Sequence, residues 1–354
     1  MKFVSIVGAR PQFIKAFPLS VALRKRQQEV LVHTGQHYNY EMSEVFFKDL
    51  GLPKPDYQLG IGSGSHGAQT GAMLQAIESV LQKEEPDIVV VYGDTNSTLA
   101  GALAAAKLNI PIAHIEAGLR SFNRAMPEEI NRVLTDHVST WLFAPSVAAR
   151  NQLAAEGIRR EVHVVGDIMY DALLLYRGYS DDRSMILSRL NLSPREYMLA
   201  TVHRAENTDD RERLAEIFEG LDLLEKPVVV PLHPRTRNCL QQFGITPGVN
   251  VRCLDPLGYL DMLKLQSQAA CILTDSGGVQ KEAYYLKVPC VTLRMETEWM
   301  ETVNAGWNIV CGTNPSQIVG ATHKMVSCHA LHPDLYGDGT AAEKIVKILS
   351  PDIL

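Results

Sequence analysis

The stretch that decides the fold is residues 3–15, FVSIVGARPQFIK. Its first five residues form a short, mostly apolar run, which is typical of a strand buried on both faces of a sheet. Gly8 then allows a tight turn, and Pro11 suits the first position of a helix. The stretch therefore predicts a strand, a turn and a helix, which together are the repeating unit of α/β proteins.

The same unit recurs along the chain, with helix-length amphipathic segments between the apolar runs. Such alternation makes the sheets parallel, so we expect two doubly wound Rossmann-like α/β domains. Ligands bind outside the carboxyl ends of strands in open α/β sheets, which predicts a site in a central cleft that both domains face. The predicted strands are Phe3–Val7, Glu29–Thr34, Ile88–Tyr92, Ile110–Ile115, Trp141–Ala144 and Val162–Val165, followed by Tyr197–Val202, Pro227–Leu232, Val249–Leu254, Cys271–Thr274, Val288–Leu293 and Asn308–Cys311.

The boundary between the predicted domains follows from a break in this pattern. Residues 177–182, RGYSDD, interrupt the alternation, so we assign residues 1–172 to the first domain and residues 173–338 to the second. Residues 339–354 begin after a Gly-Asp-Gly turn and are expected to form a terminal helix, with packing against the first domain as one option.

Composition and charge exclude several classes of protein. Hydrophobic residues make up 46% and charged residues 21% of the 354 residues, which excludes disorder, collagen and coiled coil. The net charge of −6, without a basic tract, argues against nucleic acid as a partner. No apolar run reaches the roughly 20 residues of a membrane span. Arg10 and Lys15 interrupt the first apolar run too early for a signal peptide, so we expect a cytoplasmic protein.

The six cysteines all lie in the second half of the chain, without a C-x-x-C pair. Four of them sit in strand-like apolar runs, so we interpret them as buried small hydrophobic residues in a reducing compartment. No spacing typical of a zinc site is present, and no metal is expected.

Charged residues follow the predicted strands of the first domain. Arg10 and Lys15 lie beside a helix start, where backbone N–H groups favour an anion such as a diphosphate, although a turn with solvated cations is the alternative. Asp94 and Glu116 follow two further strands, and Glu128 follows Pro127 at a predicted helix start. Several carboxylates in one sheltered place tend to retain a proton, which supplies both an acid and a base at neutral pH.

Each acidic residue also has a structural interpretation. Asp94 is a candidate N-cap of the following helix, and Glu128 is favoured in a first helical turn by the helix dipole alone. Glu116 closes an apolar strand two residues before Gly118, where burial without a function would be costly.

The second domain carries a different set of residues at its strand ends. His203 and His233 each end a strand, and a functional role for the pair is as well supported as a structural one. Ser276, Gly277 and Gly278 open a helix and form an anion cradle, because their N–H groups have no large side chain in the way. Glu282 is a candidate acceptor for ribose hydroxyls, although a solvated helical Glu is equally common.

These motifs, taken in order, resemble the non-hydrolysing UDP-N-acetylglucosamine 2-epimerases over nearly the whole chain. They are GARPQFIK at residues 8–15, GDT at 93–95, HIEAGLR at 114–120, PEEINR at 127–132 and DSGG at 275–278. The resemblance implies a GT-B-like pair of domains, a UDP-sugar substrate, no cofactor and a homodimer. It implies catalytic roles for Asp94, Glu116, Glu128 and His203, and binding of the diphosphate and nucleotide by Arg10, Lys15, Ser276, Gly277, Gly278 and Glu282.

Some positions depart from the more familiar form of the family. Residues 9, 12 and 13 are Ala, Gln and Phe instead of Thr, Glu and Ala, and Trp299 replaces an arginine that contacts the ligand in many members. Residues 39–43, NYEMS, differ from the stretch in members that their own substrate activates, which puts such activation in doubt.

Residues 119–124, LRSFNR, look more like the subgroup that acts on UDP-2,3-diacetamido-2,3-dideoxyglucuronate. Arg120 or Arg124 is a candidate contact for a sugar carboxylate, although either could equally be an exposed or diphosphate-facing cation. The sequence leaves this substrate and UDP-N-acetylglucosamine open.

The implied reaction inverts C2 by elimination and re-addition of UDP through a glycal. The competing interpretations are a GT-B glycosyltransferase, which needs an acceptor, a hydrolysing epimerase, which releases free sugar, and a nucleotide-sugar sensor without turnover.

Overall fold

The computed structural model describes residues 1–35, 54–327 and 330–350, except for the side chains of Arg10 and Pro11. The chain divides into two compact units. The first consists of Met1–Leu174 and Tyr336–Leu354, and the second of Leu175–Leu335. Among the described residues, no helix combines the length and apolarity needed to cross a membrane.

The first unit contains a seven-stranded parallel sheet with the order β3-β2-β1-β4-β5-β6-β7. Its strands are β1 (Lys2–Val7), β2 (Gln28–His33), β3 (Tyr57–Gln58), β4 (Ile88–Tyr92), β5 (Ile112–Ile115), β6 (Trp141–Ala144) and β7 (Val162–Val164). The helices up to the division are α1 (Arg10–Arg24), α2 (His66–Glu84), α3 (Asn96–Lys107), α4 (Pro127–Val138), α5 (Val147–Ala155) and α6 (Ile168–Arg183), and the division falls within α6.

The second unit contains a six-stranded parallel sheet with the order β10-β9-β8-β11-β12-β13. Its strands are β8 (Met198–Thr201), β9 (Val228–Pro231), β10 (Val251–Leu254), β11 (Cys271–Thr274), β12 (Cys290–Thr292) and β13 (Asn308–Val310). Its helices are α7 (Ile186–Leu190), α8 (Ala205–Thr208), α9 (Arg211–Asp222), α10 (Pro234–Phe243), α11 (Tyr259–Gln268), α12 (Gly277–Tyr285), α13 (Met300–Asn304) and α14 (Pro315–Val326).

Both sheets are doubly wound, as predicted. In each, the first three strands follow each other towards one edge, and the fourth strand then lies on the other side of the first. Each of the twelve apolar runs overlaps a strand, since an apolar β-branched run is stable where helices cover both faces of a sheet. The additional strand β3 has only two residues, and no apolar run marks it.

Each unit has its own hydrophobic core. In the first, Ile6 and Val91 from the sheet pack with Met73 from α2. In the second, Leu273 and Val230 pack with Phe218 from α9. Burying one such side chain contributes about 1.5–3 kcal/mol, so these two clusters fix the strands whose carboxyl ends carry the polar residues.

The final helix, α15 (Ala341–Leu349), belongs to the first unit and contacts α1. Its N-terminus is held by Asp171, whose carboxylate accepts hydrogen bonds from the N–H groups of Ala341 at 3.1 Å and Ala342 at 2.8 Å. A carboxylate from α6 therefore satisfies two of the N–H groups that a helix start leaves without partners.

Candidate active site

The turn after β1 requires glycine at position 8. A Cβ atom on Gly8 would lie 2.0 Å from the Ser97 hydroxyl oxygen and 2.3 Å from that of Thr34. The side-chain oxygen of Gln12 accepts the N–H groups of Gly8 at 2.8 Å and Ala9 at 3.1 Å, which fixes the start of α1.

Gln12 also ties this turn to the end of β4. Its side-chain nitrogen donates to the Tyr92 carbonyl at 2.7 Å and to the Thr98 hydroxyl at 2.9 Å. A glutamine has two acceptor and two donor positions, and buried Gln12 uses all four. The neutral amide is thus matched to its site, where a carboxylate would lack the two donors.

Glu116 lies at the end of β5, beside the turn that follows β4. Tyr92 and Ile115 are partners in the register of these strands, so the turn at Gly93 and Asp94 lies next to Glu116. Glu116 has a φ angle of 73°, in the left-handed region. Such backbone conformations in residues other than glycine cost about 1–3 kcal/mol and cluster at active sites.

The Glu116 carboxylate forms an ion pair with the ammonium group of Lys15 from α1. Both side chains are largely buried, with 11% of Glu116 and 16% of Lys15 exposed. Burial lowers the pKa of Lys15, but the charge and hydrogen bond of Glu116, with smaller effects of Asp94 and Asp167, outweigh burial and raise it. Lys15 therefore remains a cation, and it contacts the carboxylate that sequence reasoning assigned to catalysis.

Asp94 forms the second ion pair of this group, with the guanidinium of Arg132 from α4. Asn131 donates to the Asp94 carbonyl at 2.9 Å, so two neighbouring residues of α4 hold the same turn. Thr95, and not Asp94, caps α3, since its hydroxyl accepts the N–H of Thr98 at 3.3 Å. The carboxylate of Asp94 is therefore not used as a helix cap.

Glu128 and Glu129 begin the same helix in different surroundings. Glu128 is exposed, and the two ion pairs described above do not include it. Glu129 is buried and accepts the N–H of Ser121 at 2.8 Å and of Phe122 at 3.0 Å, as well as Arg132 at 3.1 Å. Burial raises the pKa of Glu129, but these donors and Arg132 outweigh burial and lower it.

Arg10 and Arg120 are two other arginines to which the sequence assigned possible ligand contacts. The side chain of Arg10 lies outside the described part of the structure, as do residues 39–43. Arg120 binds Glu156 through two hydrogen bonds of 2.7 Å and Asp136 through a third of 2.7 Å, with 2% of its side chain exposed. Arg120 is therefore neither a free cation nor available to a sugar carboxylate.

In the second unit, a buried carboxylate fixes the loop that carries His203. Asp275, at the end of β11, is fully buried. One of its oxygens accepts the N–H of His203 at 3.0 Å, the N–H of Arg204 at 3.0 Å and the side-chain amide of Asn207 at 3.1 Å. This arrangement positions His203 and Arg204 at the carboxyl ends of β8 and β11.

The ring of His203 is half-buried and lies near other titratable groups. Its Nδ1 is 3.6 Å from Asp275, and its ring centroid is 5.9 Å from that of His233. Burial lowers the pKa of His203, assisted by the positive charges of His233 and Arg204 and opposed by Asp275. The two histidines that the sequence singled out are thus neighbours.

The residues of the predicted anion cradle lie at the start of α12. Ser276 is its N-cap, with the hydroxyl accepting the N–H of Val279 at 3.5 Å. A Cβ atom on Gly277 would lie 3.2 Å from the indole nitrogen of Trp299 and 4.0 Å from the guanidinium of Arg204. The same Cβ atom would lie 3.5 Å from a carboxylate oxygen of Glu298, so a side chain at position 277 would meet all three groups. Gly278 is exposed, and its Cβ would make only an ordinary contact at 3.9 Å.

Glu282 lies further along α12, where one carboxylate oxygen accepts the side-chain amide of Gln266 at 2.8 Å. This bond orients a carboxylate that the sequence proposed for ribose hydroxyls. Among the described residues, no group of three or more His, Cys, Asp or Glu could hold a metal ion.

Fold and geometry together define an α/β enzyme class with paired carboxylates and cations at one parallel sheet and an anion cradle at another. A family model described as UDP-N-acetylglucosamine 2-epimerase matches residues 21–350. The chain belongs to this family, which confirms the resemblance carried by its motifs.

Similar proteins extend over almost the whole chain. It is 52% identical to a UDP-N-acetylglucosamine 2-epimerase homolog of Methanococcus maripaludis and 49% identical to the UDP-2,3-diacetamido-2,3-dideoxy-D-glucuronate 2-epimerase of Pseudomonas aeruginosa, with 99% of each chain covered in both cases. The structure of Methanocaldococcus jannaschii UDP-GlcNAc 2-epimerase in complex with UDP-GlcNAc and UDP is 46% identical. It has a TM-score of 0.85 and covers 99% of this chain and 100% of that chain.

Sequence reasoning missed the residues that hold the site together. Glu129, Arg132 and Asp136 lie on one face of α4, and Asp275 anchors the His203 loop. The first three are spaced at i, i+3 and i+7, which places them on one face of a helix. This helical periodicity in the sequence could have shown that they act together. Asp275 carried no comparable signal, because its three donors come from a different strand end.

Proposed function

We propose that this protein inverts C2 of UDP-N-acetylglucosamine to give UDP-N-acetylmannosamine. The names of the relatives support this activity, as does the complex of the Methanocaldococcus jannaschii enzyme with UDP-GlcNAc and UDP. The observation that carries the proposal is the pair of carboxylates, Asp94 and Glu116, held by Arg132 and Lys15 at adjacent strand ends.

The reaction proceeds by elimination and re-addition, since no carbonyl group lies next to C2 to acidify its proton. The C1–O bond breaks with its electron pair on UDP, the C2 proton passes to a carboxylate, and a C1–C2 double bond forms. UDP then adds back to C1 while a proton reaches the opposite face of C2. General acid–base catalysis of this kind contributes about 10²–10⁴-fold.

The two faces of C2 require two different proton carriers, and three carboxylates are the candidates for these two roles. Glu116 and Asp94 also place negative charge near the developing positive charge at C1. Glu128 is the third, and its exposure leaves it accessible to a substrate.

The departing UDP requires positive charge and N–H donors. We assign the cations to Arg10 and Lys15. The hydrogen-bond donors are His203, whose lowered pKa favours the neutral ring, and Ser276, Gly277 and Gly278 at the start of α12. Glu282 is proposed to accept the ribose hydroxyls. Exclusion of water from the glycal is also required, because water would add to C1 and release free sugar.

The alternative substrate is UDP-2,3-diacetamido-2,3-dideoxyglucuronate, on which the Pseudomonas aeruginosa relative acts by name. A sugar carboxylate needs a cation, and Arg120 is already bound to Asp136 and Glu156. Exposed Arg124 remains as the other candidate. Because Arg120 is occupied by Asp136 and Glu156, the contacts of this arginine favour UDP-N-acetylglucosamine, which has no sugar carboxylate.

The test offers each of these two UDP-sugars to the purified protein without an acceptor and follows the products by NMR. We expect conversion of UDP-N-acetylglucosamine to its C2 epimer with UDP still attached. Conversion of the uronate alone would assign the other substrate. Free sugar would identify a hydrolysing epimerase, and an unchanged UDP-sugar would favour a glycosyltransferase or a sensor.

We further propose a homodimer, as the family resemblance implies. Met126, the N-cap residue of α4, and Ile130 and Leu134 within α4 are spaced at i, i+4 and i+8 and are 38%, 48% and 44% exposed. A second copy of the chain would cover this apolar stripe. Light scattering should give twice the chain mass for the wild type and for the control Leu223→Glu, and a monomer for Ile130→Glu. A monomeric wild type would contradict the proposal.

Cytoplasmic location is also a proposal. It is supported by five free cysteines in the described part of the chain, Cys239, Cys253, Cys271, Cys290 and Cys311, because thiols persist in reducing compartments. Fractionation of cells that express the protein should recover it with cytoplasmic markers, and recovery with exported proteins would contradict this location.

A further inference from the structure

His114 is a fully buried histidine that joins the two turns of the candidate active site. It lies in β5, two residues before Glu116, and its Nε2 is 2.8 Å from the carbonyl oxygen of Gly93, the residue before Asp94. One imidazole ring therefore links the backbone that carries one carboxylate to the backbone that carries the other.

The partners of the ring determine its protonation. Nδ1 lies 2.7 Å from an oxygen of Asp136, while Nε2 faces the Gly93 carbonyl. A carbonyl only accepts hydrogen bonds, and so does an ionised carboxylate, so both ring nitrogens must donate. A neutral ring would turn a lone pair towards one of these oxygens in a fully buried place.

Asp136 is held in the ionised form by its other contacts. Its second oxygen accepts the N–H of Gly118 at 3.1 Å and the guanidinium of Arg120 at 2.7 Å. Burial raises the pKa of Asp136, but His114 and Arg120 outweigh burial and lower it. The proton between Asp136 and His114 therefore belongs to the ring nitrogen.

The other charges around His114 form balanced pairs. Arg120 binds Glu156, which also lies within electrostatic range of His137. Along the two turns, Glu116 is paired with Lys15, and Asp94 is paired with Arg132. The imidazolium is thus matched by one carboxylate, Asp136.

On this geometry we propose that Asp136 is a positioning residue for the epimerase activity. It keeps His114 doubly protonated, and the Nε2–H of His114 fixes the Gly93 carbonyl and with it the spacing of Asp94 and Glu116. The inference rests on the proposed function. The positioning matters for the rate, because a displacement of about 1 Å between reacting groups costs about 10²-fold.

The hydrogen bonds of His114 are tested first, in the intact wild-type protein under the conditions of the activity assay. We expect the ¹⁵N NMR signals of its ring, assigned by their loss in His114→Gln, to show a proton on both nitrogens. Asp136→Asn should leave a proton on Nε2 alone, because the asparagine amide can donate to Nδ1. A ring with only one protonated nitrogen in the wild type would overturn the proposal, whether or not the protein is an epimerase.

The positioning role is tested by kinetics, with the amount of folded protein measured by UDP titration. Asp136→Leu removes the acceptor at nearly constant shape, and we expect kcat to fall about 10- to 100-fold with KM within about twofold. Asp136→Asn still directs Nε2–H to Gly93 and should restore kcat to within about threefold. The control Glu156→Gln leaves His114 and Asp136 untouched and should match the wild type.

Wild-type kcat in folded Asp136→Leu would refute the positioning role. If Asp136→Leu does not fold, His114→Phe takes its place, because it keeps an aromatic ring but has no Nε2–H. A loss of kcat of about 10- to 100-fold with unchanged KM supports the role, and a wild-type kcat refutes it. An inactive wild type would reject the proposed function, and the NMR result on His114 would stand separately.

Discussion

The two sheets share a strand order over six strands, and the first has a seventh strand at its edge, yet their carboxyl ends carry different chemistry. In the first unit, turns after β4 and β5 present carboxylates in ion pairs with cations, and one carboxylate sits on strained backbone. In the second unit, the corresponding end presents backbone N–H groups at α12 and a loop anchored by buried Asp275.

This difference shows how a common topology supports separate tasks. Parallel strands with helices on both faces bring the following turns to one edge of a sheet, and the turn residues then decide what happens there. We assign proton transfer to the carboxylates of the first unit. Binding of UDP is divided between Arg10 and Lys15 of that unit and the residues at the strand ends of the second. Each variant below separates these tasks.

The largest effect is expected for Glu116→Gln, which removes a proton carrier without changing the shape of the side chain. We expect kcat to fall about 10²–10⁴-fold while the Kd for UDP, measured by calorimetry, changes little. Glu161→Gln is the matched control, because Glu161 also has a positive φ angle, of 51°, but lies elsewhere in the unit. An unchanged kcat in Glu116→Gln would remove Glu116 from the mechanism.

The next effect distinguishes two adjacent residues of α4. Glu128→Gln should lower kcat about 10²-fold and leave thermal stability nearly unchanged, because Glu128 is exposed. Glu129→Gln should destabilise the protein by about 1.5–3 kcal/mol, because buried Glu129 accepts several hydrogen bonds as an anion. Thermal melts and initial rates of both variants provide the measurement. The reverse pattern would exchange the two roles.

A smaller effect is expected in the anion cradle of the second unit. Gly277→Ala places a methyl group 3.2 Å from the Trp299 indole nitrogen and should weaken UDP binding about two- to tenfold, as for one lost hydrogen bond. Gly320→Ala in α14 is the control, since Gly320 lies outside the cradle and an added Cβ atom there has nothing within 4 Å. Equal affinities of both variants for UDP would argue against binding at the start of α12.

The smallest effect concerns the pH dependence of stability. The pKa of Glu129 is lowered in the folded protein, so its contribution is present above its ordinary value of 4.5 and is lost as pH falls through the lowered value. The midpoints of urea unfolding for wild type and Glu129→Gln should therefore converge below about pH 4.5. A constant difference down to pH 3 would contradict this assignment.

Much of the fold was predictable because buried parallel strands leave continuous apolar runs. The strand β3 escaped prediction since two residues form no such run. Glu116 was recognisable at the end of an apolar strand, whereas the burial of Arg120 against Asp136 and Glu156 was not. Partners such as these are distant in sequence, and only the folded chain brings them together.

We propose that carboxylates of the first unit remove and return the C2 proton during elimination of UDP. Incubation of UDP-N-acetylglucosamine with the protein in D2O, followed by proton NMR of both epimers, tests this step. Deuterium is expected at C2 of the product and, with time, of the recovered substrate. Epimerisation that leaves hydrogen at C2 would contradict it.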